Sequence, residues 1–328
     1  MQVVEFGYEK IRLLLQQQRF ELALKEILEQ LNAEPDEALL HAYSGYCYLK
    51  LNRFEDGLVA VKKSIALEPD LAYAHSLLSN FYEKINRNAE AEAAIREALQ
   101  LDWYNPDYYY FLGRILLYQN RVTEALDAAN SGLSIFSEHV NCNNLKGICL
   151  VCLGNEEGLC FFQVSLTIDP EYSYTFTNYG IALLKLGKPT EAIKIFKEAL
   201  RINPDSEIAR LYLLNTIKLK NPVYYFLKKV IGQKKPLQVA VWVLTILVVF
   251  IAYNCSIFIF LSLLVLSLII VFYEVFANTL TRLNRPYRHV LSKHEIQQSN
   301  LLLMVIKILM MGLIYNELYF FLQPVLNK

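Results

Sequence analysis

Glycine and proline are scarce in this chain, at 12 and 10 of 328 residues. That scarcity excludes collagen-like and disordered chains and disfavours a turn-rich all-β fold. The sequence holds no P-loop, no GxGxxG and no GxSxG, so the common phosphate-binding and hydrolase signatures have no anchor. Metal sites fare no better. Cys149 and Cys152 form a CxxC without the second CxxC or CxxH that a four-ligand zinc site needs. His294-Glu295-Ile296-Gln297-Gln298 begins like HExxH but has Gln298 where the second histidine would stand. No cofactor and no metal is expected. The six cysteines (Cys47, Cys142, Cys149, Cys152, Cys160, Cys255) lack a disulfide-framework spacing and read as reduced thiols in a cytosolic compartment. The first residues carry Glu5 and Glu9, with neither a basic leader nor a long apolar core, so they do not read as a secretory signal.

Net charge is also absent, but only in sum. Residues 1–221 carry 22 Lys+Arg against 29 Asp+Glu, a balance of −7; residues 222–328 carry 10 against 3, a balance of +7. The acidic first part argues against a nucleic-acid module, because phosphate binding needs a positive field. The second part is basic and very apolar, which raises the whole chain to 54% hydrophobic residues and a mean hydropathy of +0.25.

What is present is a repeat. Pro35, Pro69, Pro170 and Pro204 close apolar-acidic stretches; Pro35 to Pro69 is 34 residues, as is Pro170 to Pro204. Further steps of 34 from Pro69 land on Trp103 and Ser137, and one of 33 reaches Pro170. Small residues recur early in each period (Gly45, Ser79, Gly113, Gly147, Gly180) and again later (Ala23, Gly57, Ala91, Ala125, Gly158, Ala192). An apolar or small residue follows four positions on, at Ile27, Val61, Ile95, Ala129, Phe162 and Phe196. Two antiparallel helices approach closely only where one backbone presents a small side chain, and stacking such pairs makes a continuous core.

This pattern resembles the tetratricopeptide repeat, W-x₂-L-G-x₂-Y…A-x₃-F…P, most closely in Phe176, Tyr179, Gly180, Leu183, Ala192, Phe196 and Pro204. The first copy departs most, with Gly7 and Ile11 at the large and small positions. The resemblance implies an all-α, right-handed solenoid of six helix-turn-helix repeats over residues 1–204. Asp205–Lys220 would be the solvating helix that closes the stack (205–221), with Asp205 as its N-cap.

Beyond a basic juxtamembrane segment, 222–236, lie 38 residues between Lys235 and Glu274 without one Asp, Glu, Lys or Arg. As one helix they would run about 57 Å, nearly twice a bilayer core of roughly 30 Å. Asn254, Cys255 and Ser256 are the polar interruption near the middle. The expectation is therefore a transmembrane hairpin over 237–276, with spans Leu237–Tyr253 and Ile257–Phe276 and the lipid bilayer as a partner. Lys228, Lys229, Lys234 and Lys235 precede it; Arg282, Arg285, Arg288 and Lys293 follow. A basic excess at both outer ends puts both in the cytoplasm, the repeats with them. The last part, 277–328, is a basic loop and an apolar helix, Asn300–Leu322. It is long enough for a third span, but Lys307, Asn316 and Glu317 leave a helix packed at the interface equally open.

In this repeat class the first helix of each unit lines the concave face. Helical spacing from the small residues puts Tyr8, Arg12, Tyr46, Lys50, Tyr73, Asn80, Lys84, Tyr110, Arg114, Tyr118, Asn144 and Tyr174 on or near it. Tyr and Arg are common anchors of peptide-recognising surfaces. His41 and His75 fall at the large-residue position, where packing accounts for them. Chaperone-binding members clamp a peptide carboxylate with Lys and Asn; here Ser76 precedes Asn80 where such a clamp has Lys.

The resemblance implies a non-enzymatic scaffold that binds a protein or peptide segment in its groove; the apolar run and its basic flanks add a membrane anchor with the groove in the cytosol, and the acidic repeats leave no nucleic-acid partner. Two other readings stand beside it. One is a subunit of an integral membrane complex whose spans contact other subunits. The other is a membrane enzyme with its site in 282–328, around His289, His294, Glu295 and Lys307.

Overall fold

The structure is a computed structural model that describes residues 2–220, 275, 278–281 and 290–304. Helices alternate as pairs joined by tight turns, and no strand occurs among the described residues. The first helices of the pairs are α1 (Gln2–Gln16), α3 (Ala38–Lys50), α5 (Ala72–Lys84), α7 (Pro106–Tyr118), α9 (Val140–Cys152) and α11 (Ser173–Lys185). The second helices are α2 (Phe20–Ala33), α4 (Phe54–Leu67), α6 (Asn88–Leu101), α8 (Val122–Ile135), α10 (Gly158–Ile168) and α12 (Pro189–Ile202), and α13 (Glu207–Lys220) follows. By its contacts the chain divides into two compact units, Met1–Leu186 and Gly187–Lys328. The division falls inside the sixth repeat, between α11 and α12.

In the first unit the turn within each pair is set by backbone chemistry. Gln18, Asn52, Asn86, Asn120 and Gly154 all have positive φ, between 57° and 84°. They stand 34 residues apart. Asparagine and glycine tolerate this left-handed region better than other residues. The next residue's N–H then reaches back to the helix: Arg53 to the Tyr48 carbonyl at 2.9 Å, Arg87 to Tyr82 at 2.8 Å, Arg121 to Leu116 at 2.9 Å. This Schellman closure satisfies carbonyls that the helix end would leave bare.

The small residues form the seam between paired helices. A Cβ added to Gly147 would sit 2.8 Å from the Gly158 carbonyl oxygen, and one added to Gly158 would sit 2.6 Å from that of Gly147. Ser79 serves the same seam differently, donating its hydroxyl to the Ala91 carbonyl at 2.8 Å. Ser64 and Ser165, on second helices, donate to the Ala38 and Val140 carbonyls at 2.7 and 3.3 Å. The fully buried Phe81, Phe162, Ile95 and Leu145 fill the spaces between pairs. His41 and His75 do more than pack, because each Nε2 bonds the carbonyl of the proline six residues earlier, Pro35 at 2.9 Å and Pro69 at 2.7 Å.

Successive first helices also touch one another, α3 on α5, α5 on α7, α7 on α9 and α9 on α11. Among the described residues, second helices make no comparable contacts with each other. The first helices therefore lie on the shorter, inner side of the stack.

In the second unit the ring of Phe196 on α12 stacks on Tyr212 of α13, with centroids 5.8 Å apart. Two expectations change here. Ser206, not Asp205, caps α13: its Oγ accepts from the Ala209 N–H at 3.4 Å, while the Asp205 N–H is taken by Asn203 Oδ1 at 3.1 Å in the preceding turn. Nor is α13 a helix facing only water. Arg210 Nη1 donates to the Val290 carbonyl at 3.2 Å and to Glu295 Oε2 at 3.1 Å, in a segment that is helical over 293–304. That helix starts seven residues before Asn300, the start read from the apolar pattern.

Among the described residues no helix is long and apolar enough to cross a membrane. Apart from Val275, the two spans read over 237–276 lie outside the described residues, as do 222–236, His289 and Lys307.

Candidate functional site

The inner face of the first unit brings most of the sequence-derived candidates onto neighbouring helices. Arg114, in the middle of α7, is their centre. Its Nη2 pairs with Glu83 and donates to Asn80 Oδ1 at 3.0 Å, both on α5. The guanidinium also lies 5.4 Å from the Tyr110 ring centroid and 5.3 Å from that of Phe111. Burial weakens its hold on the proton, but Glu83 and then Tyr110 more than offset this and raise its pKa. Its Nε is buried without a partner among the described residues.

Tyr110 is 8% exposed, and its pKa is raised by burial and then by the neighbouring Tyr174. Asn144 is fully buried; its Nδ2 donates to Thr175 Oγ1 at 2.8 Å, and its Oδ1 has no partner among the described residues. These two tie α7 and α9 to α11. Tyr46 is half-buried, edge-on to Phe20 at 5.9 Å, and Tyr73 is edge-on to Tyr43 at 6.0 Å. Tyr8 is half-buried, with its pKa pushed up to about 12 by burial and by Glu37 and Glu34.

The open candidates are Arg12, Lys50, Lys84, Tyr118 and Tyr174. Lys50 and Lys84 are the last residues of α3 and α5, one repeat apart. Lys50 extends its Nζ over the Tyr46 ring at 5.3 Å. Its pKa is lowered by burial and then by the positive charges of Lys84 and Arg114. Positive charges on α5 and α7 thus reach the Lys50 ammonium on α3. The same column continues through Tyr118 and Cys152 to Lys185, whose Nζ lies 3.1 Å from the Cys152 Sγ.

Sequence reasoning missed Glu83, which neutralises Arg114, and Phe111 and Thr175, which hold its neighbours. Glu83 carries a signal only in combination: it lies three residues after Asn80 and 31 before Arg114, a separation that the repeat turns into a contact. The cysteines of the CxxC lie on α9, and burial pushes the Cys149 thiol up to about 12, as suits packing. Glu295, one candidate of the enzyme reading, is engaged structurally: it accepts from the Ser292 N–H at 2.8 Å and from its hydroxyl at 2.7 Å, besides pairing with Arg210. His294 bonds Gln298 at 2.9 Å. Among the described residues no cluster could hold a metal ion.

Tetratricopeptide-repeat family models match residues 48–106, 77–138 and 173–206. No curated protein matches the chain. Among solved structures, it is similar to the APC/C hetero-tetramer Cut9–Hcn1, at 17% identity and TM-score 0.55 over 65% of this chain and 44% of that one. It is also similar to a thermophilic TPR protein of Thermus thermophilus, at 14% identity and TM-score 0.52 over 55% and 98%. PilW, a type IV pilus biogenesis factor, matches at 17% identity and TM-score 0.51 over 62% and 97%. At such identities the likeness is one of fold. Residues 48–138 and 173–206 thus match tetratricopeptide repeats, a fold of the protein-interaction kind.

Proposed function

We propose that the chain is a non-enzymatic, membrane-anchored adaptor that holds an extended protein segment on the inner face of its repeats. The carrying observation is that Lys50 and Lys84 end neighbouring first helices one repeat apart, and that the Lys50 ammonium, besides its burial, feels the positive charges of Lys84 and Arg114. Arg114 has Glu83 as its counter-ion, whereas Lys50 and Lys84 are exposed residues, with the Lys50 ammonium over the Tyr46 ring. An acidic side chain or chain end placed between them relieves that repulsion. Tyr118 and Tyr174, exposed on the first helices α7 and α11, offer flat apolar area at low entropy cost. The 38 uncharged residues after Lys235 support the anchor, since a run of that length in a basic setting suits the bilayer.

Affinity purification in mild detergent, with mass spectrometry of co-purified chains, identifies the partner. Binding by wild type and by the Lys50→Glu, Lys84→Glu double variant then tests the groove. Reversal of both charges should weaken binding at least thirtyfold and leave the helical content intact. Equal binding by the two proteins would remove the groove from the mechanism.

A further inference from the structure

The uncharged run is flanked by two segments that touch each other. On one side Arg210 projects from the first turn of α13; on the other lie Val290 and the helix 293–304. Arg210 Nη1 reaches both the Val290 carbonyl and Glu295 Oε2, while its Nη2 pairs with Glu207 at 2.9 Å. Glu295 is fixed in place by a reciprocal capping box. Its carboxylate takes the N–H and hydroxyl of Ser292, and the Ser292 Oγ accepts the Glu295 N–H at 3.3 Å. Lys218, on the last turn of α13, is 4% exposed, and its charge also favours ionised Glu295. Val290, whose carbonyl Arg210 reaches, and its neighbour Leu291 are both buried, at 1% and 6% exposure.

We infer that the run between Lys235 and Glu274 crosses the bilayer twice and returns to the side it left, strapped there by Arg210 and Glu295. The inference rests on reading the run as membrane-spanning. A direct ion pair requires both groups in one aqueous compartment, and a hydrocarbon core of about 30 Å separates the two compartments. The number of crossings between residues 220 and 290 is therefore even. Two helical crossings take about 19 residues each, a rise of roughly 28 Å, which matches the core. Four would leave about 9 residues each, or roughly 14 Å of helix, which is too short. Short strands are no way out, because four of them close no barrel. The charges at the two ends of the run pointed the same way; the Arg210 contacts are independent of them and also name the side chains that join exit to return.

Thiol labelling of the full-length chain in sealed membrane vesicles tests this. Three single-cysteine variants are compared: one keeping Cys160, exposed on α10; one keeping Cys255; and one with Lys293→Cys at an exposed position of the returning helix. A membrane-impermeant maleimide should label Cys160 and Lys293→Cys from the same side, and Cys255 only from the other. Lys293→Cys protected where Cys160 reacts would mean an odd number of crossings and would overturn the inference. Release of the chain by carbonate extraction would instead overturn the anchor reading itself. The strap has its own readout. A cysteine at the buried Leu291 should react at least tenfold faster when Arg210→Ala is added, and an unchanged rate would show that Arg210 does not hold the returning segment.

Discussion

Asn120 sits at φ 62°, and its equivalents one, two and three repeats earlier are Asn86, Asn52 and Gln18. A left-handed residue with a Cβ carries strain that asparagine lessens and glycine removes. Asn120→Ala should therefore destabilise by roughly 1 kcal/mol, while Asn120→Gly should be neutral or slightly stabilising. Thermal denaturation of the two variants in detergent checks this; the reverse order would mean that the turn does not depend on its backbone geometry. A second residue-scale prediction concerns the seam. Gly147→Ala brings a Cβ within 2.8 Å of a backbone oxygen on α10, where no flexible side chain can move aside. The expected loss is about 1–3 kcal/mol by overpacking. These two kinds of position differ in how the sequence reveals them. The glycine seam is legible because its small residues recur every 34 positions. The Asn-Arg pairs at Asn52-Arg53, Asn86-Arg87 and Asn120-Arg121 recur just as regularly and mark the turns, although the Pro and small-residue pattern alone suffices to find the period.

At the scale of elements, the helix pairs and their order follow from local patterning, and the contacts between elements follow only in part. Arg114 is recognisable as a groove residue, but its pairing with Glu83 depends on how far α7 is staggered against α5, which no single helix encodes. Asn144 and Tyr110 share the inner side of their helices with Arg114, yet contacts with α11 bury them. The Arg210–Glu295 bridge spans 85 residues and belongs to no repeat, so neither partner is marked in advance. Its chemistry predicts an acid response. Burial alone would raise the Glu295 pKa, but the Ser292 N–H and hydroxyl, Arg210 and Lys218 overcome it and hold the pKa below its ordinary value. A carboxylate with a depressed folded pKa contributes stability that is fully present above its unfolded value of about 4.3 and is lost as pH falls through the folded one. Docking of 290–304 on α13 should thus persist from neutral pH down to about 4 and loosen below it. Hydrogen exchange of α13 against pH measures this, and Glu295→Gln should be loose at every pH. An acid response that survives Glu295→Gln would assign the titration to another group.

On the proposed reading, the whole molecule joins two demands that the sequence keeps apart: acidic repeats for a protein partner, and a basic, apolar part for lipid. If the groove alone recognises the partner, removing 237–328 should send the repeats to the soluble fraction with partner affinity unchanged within about threefold. That deletion also removes Val290 and Glu295, the acceptors that Arg210 uses, so it is not silent structurally. Hydrogen exchange should quicken in α13, while α3 to α9, whose contacts lie within the first unit, keep their protection. Circular dichroism should remain helical, because the seam residues from Gly45 to Gly158 are all retained. Partner affinity and α13 protection therefore separate: the first reports on the Lys50–Lys84–Arg114 surface, the second on the strap. If the truncated chain stays folded yet loses its partner, while Lys50→Glu, Lys84→Glu in the full chain binds normally, the contact lies in the apolar part. The protein would then be a subunit of an integral membrane complex, with its repeats turned toward some other component.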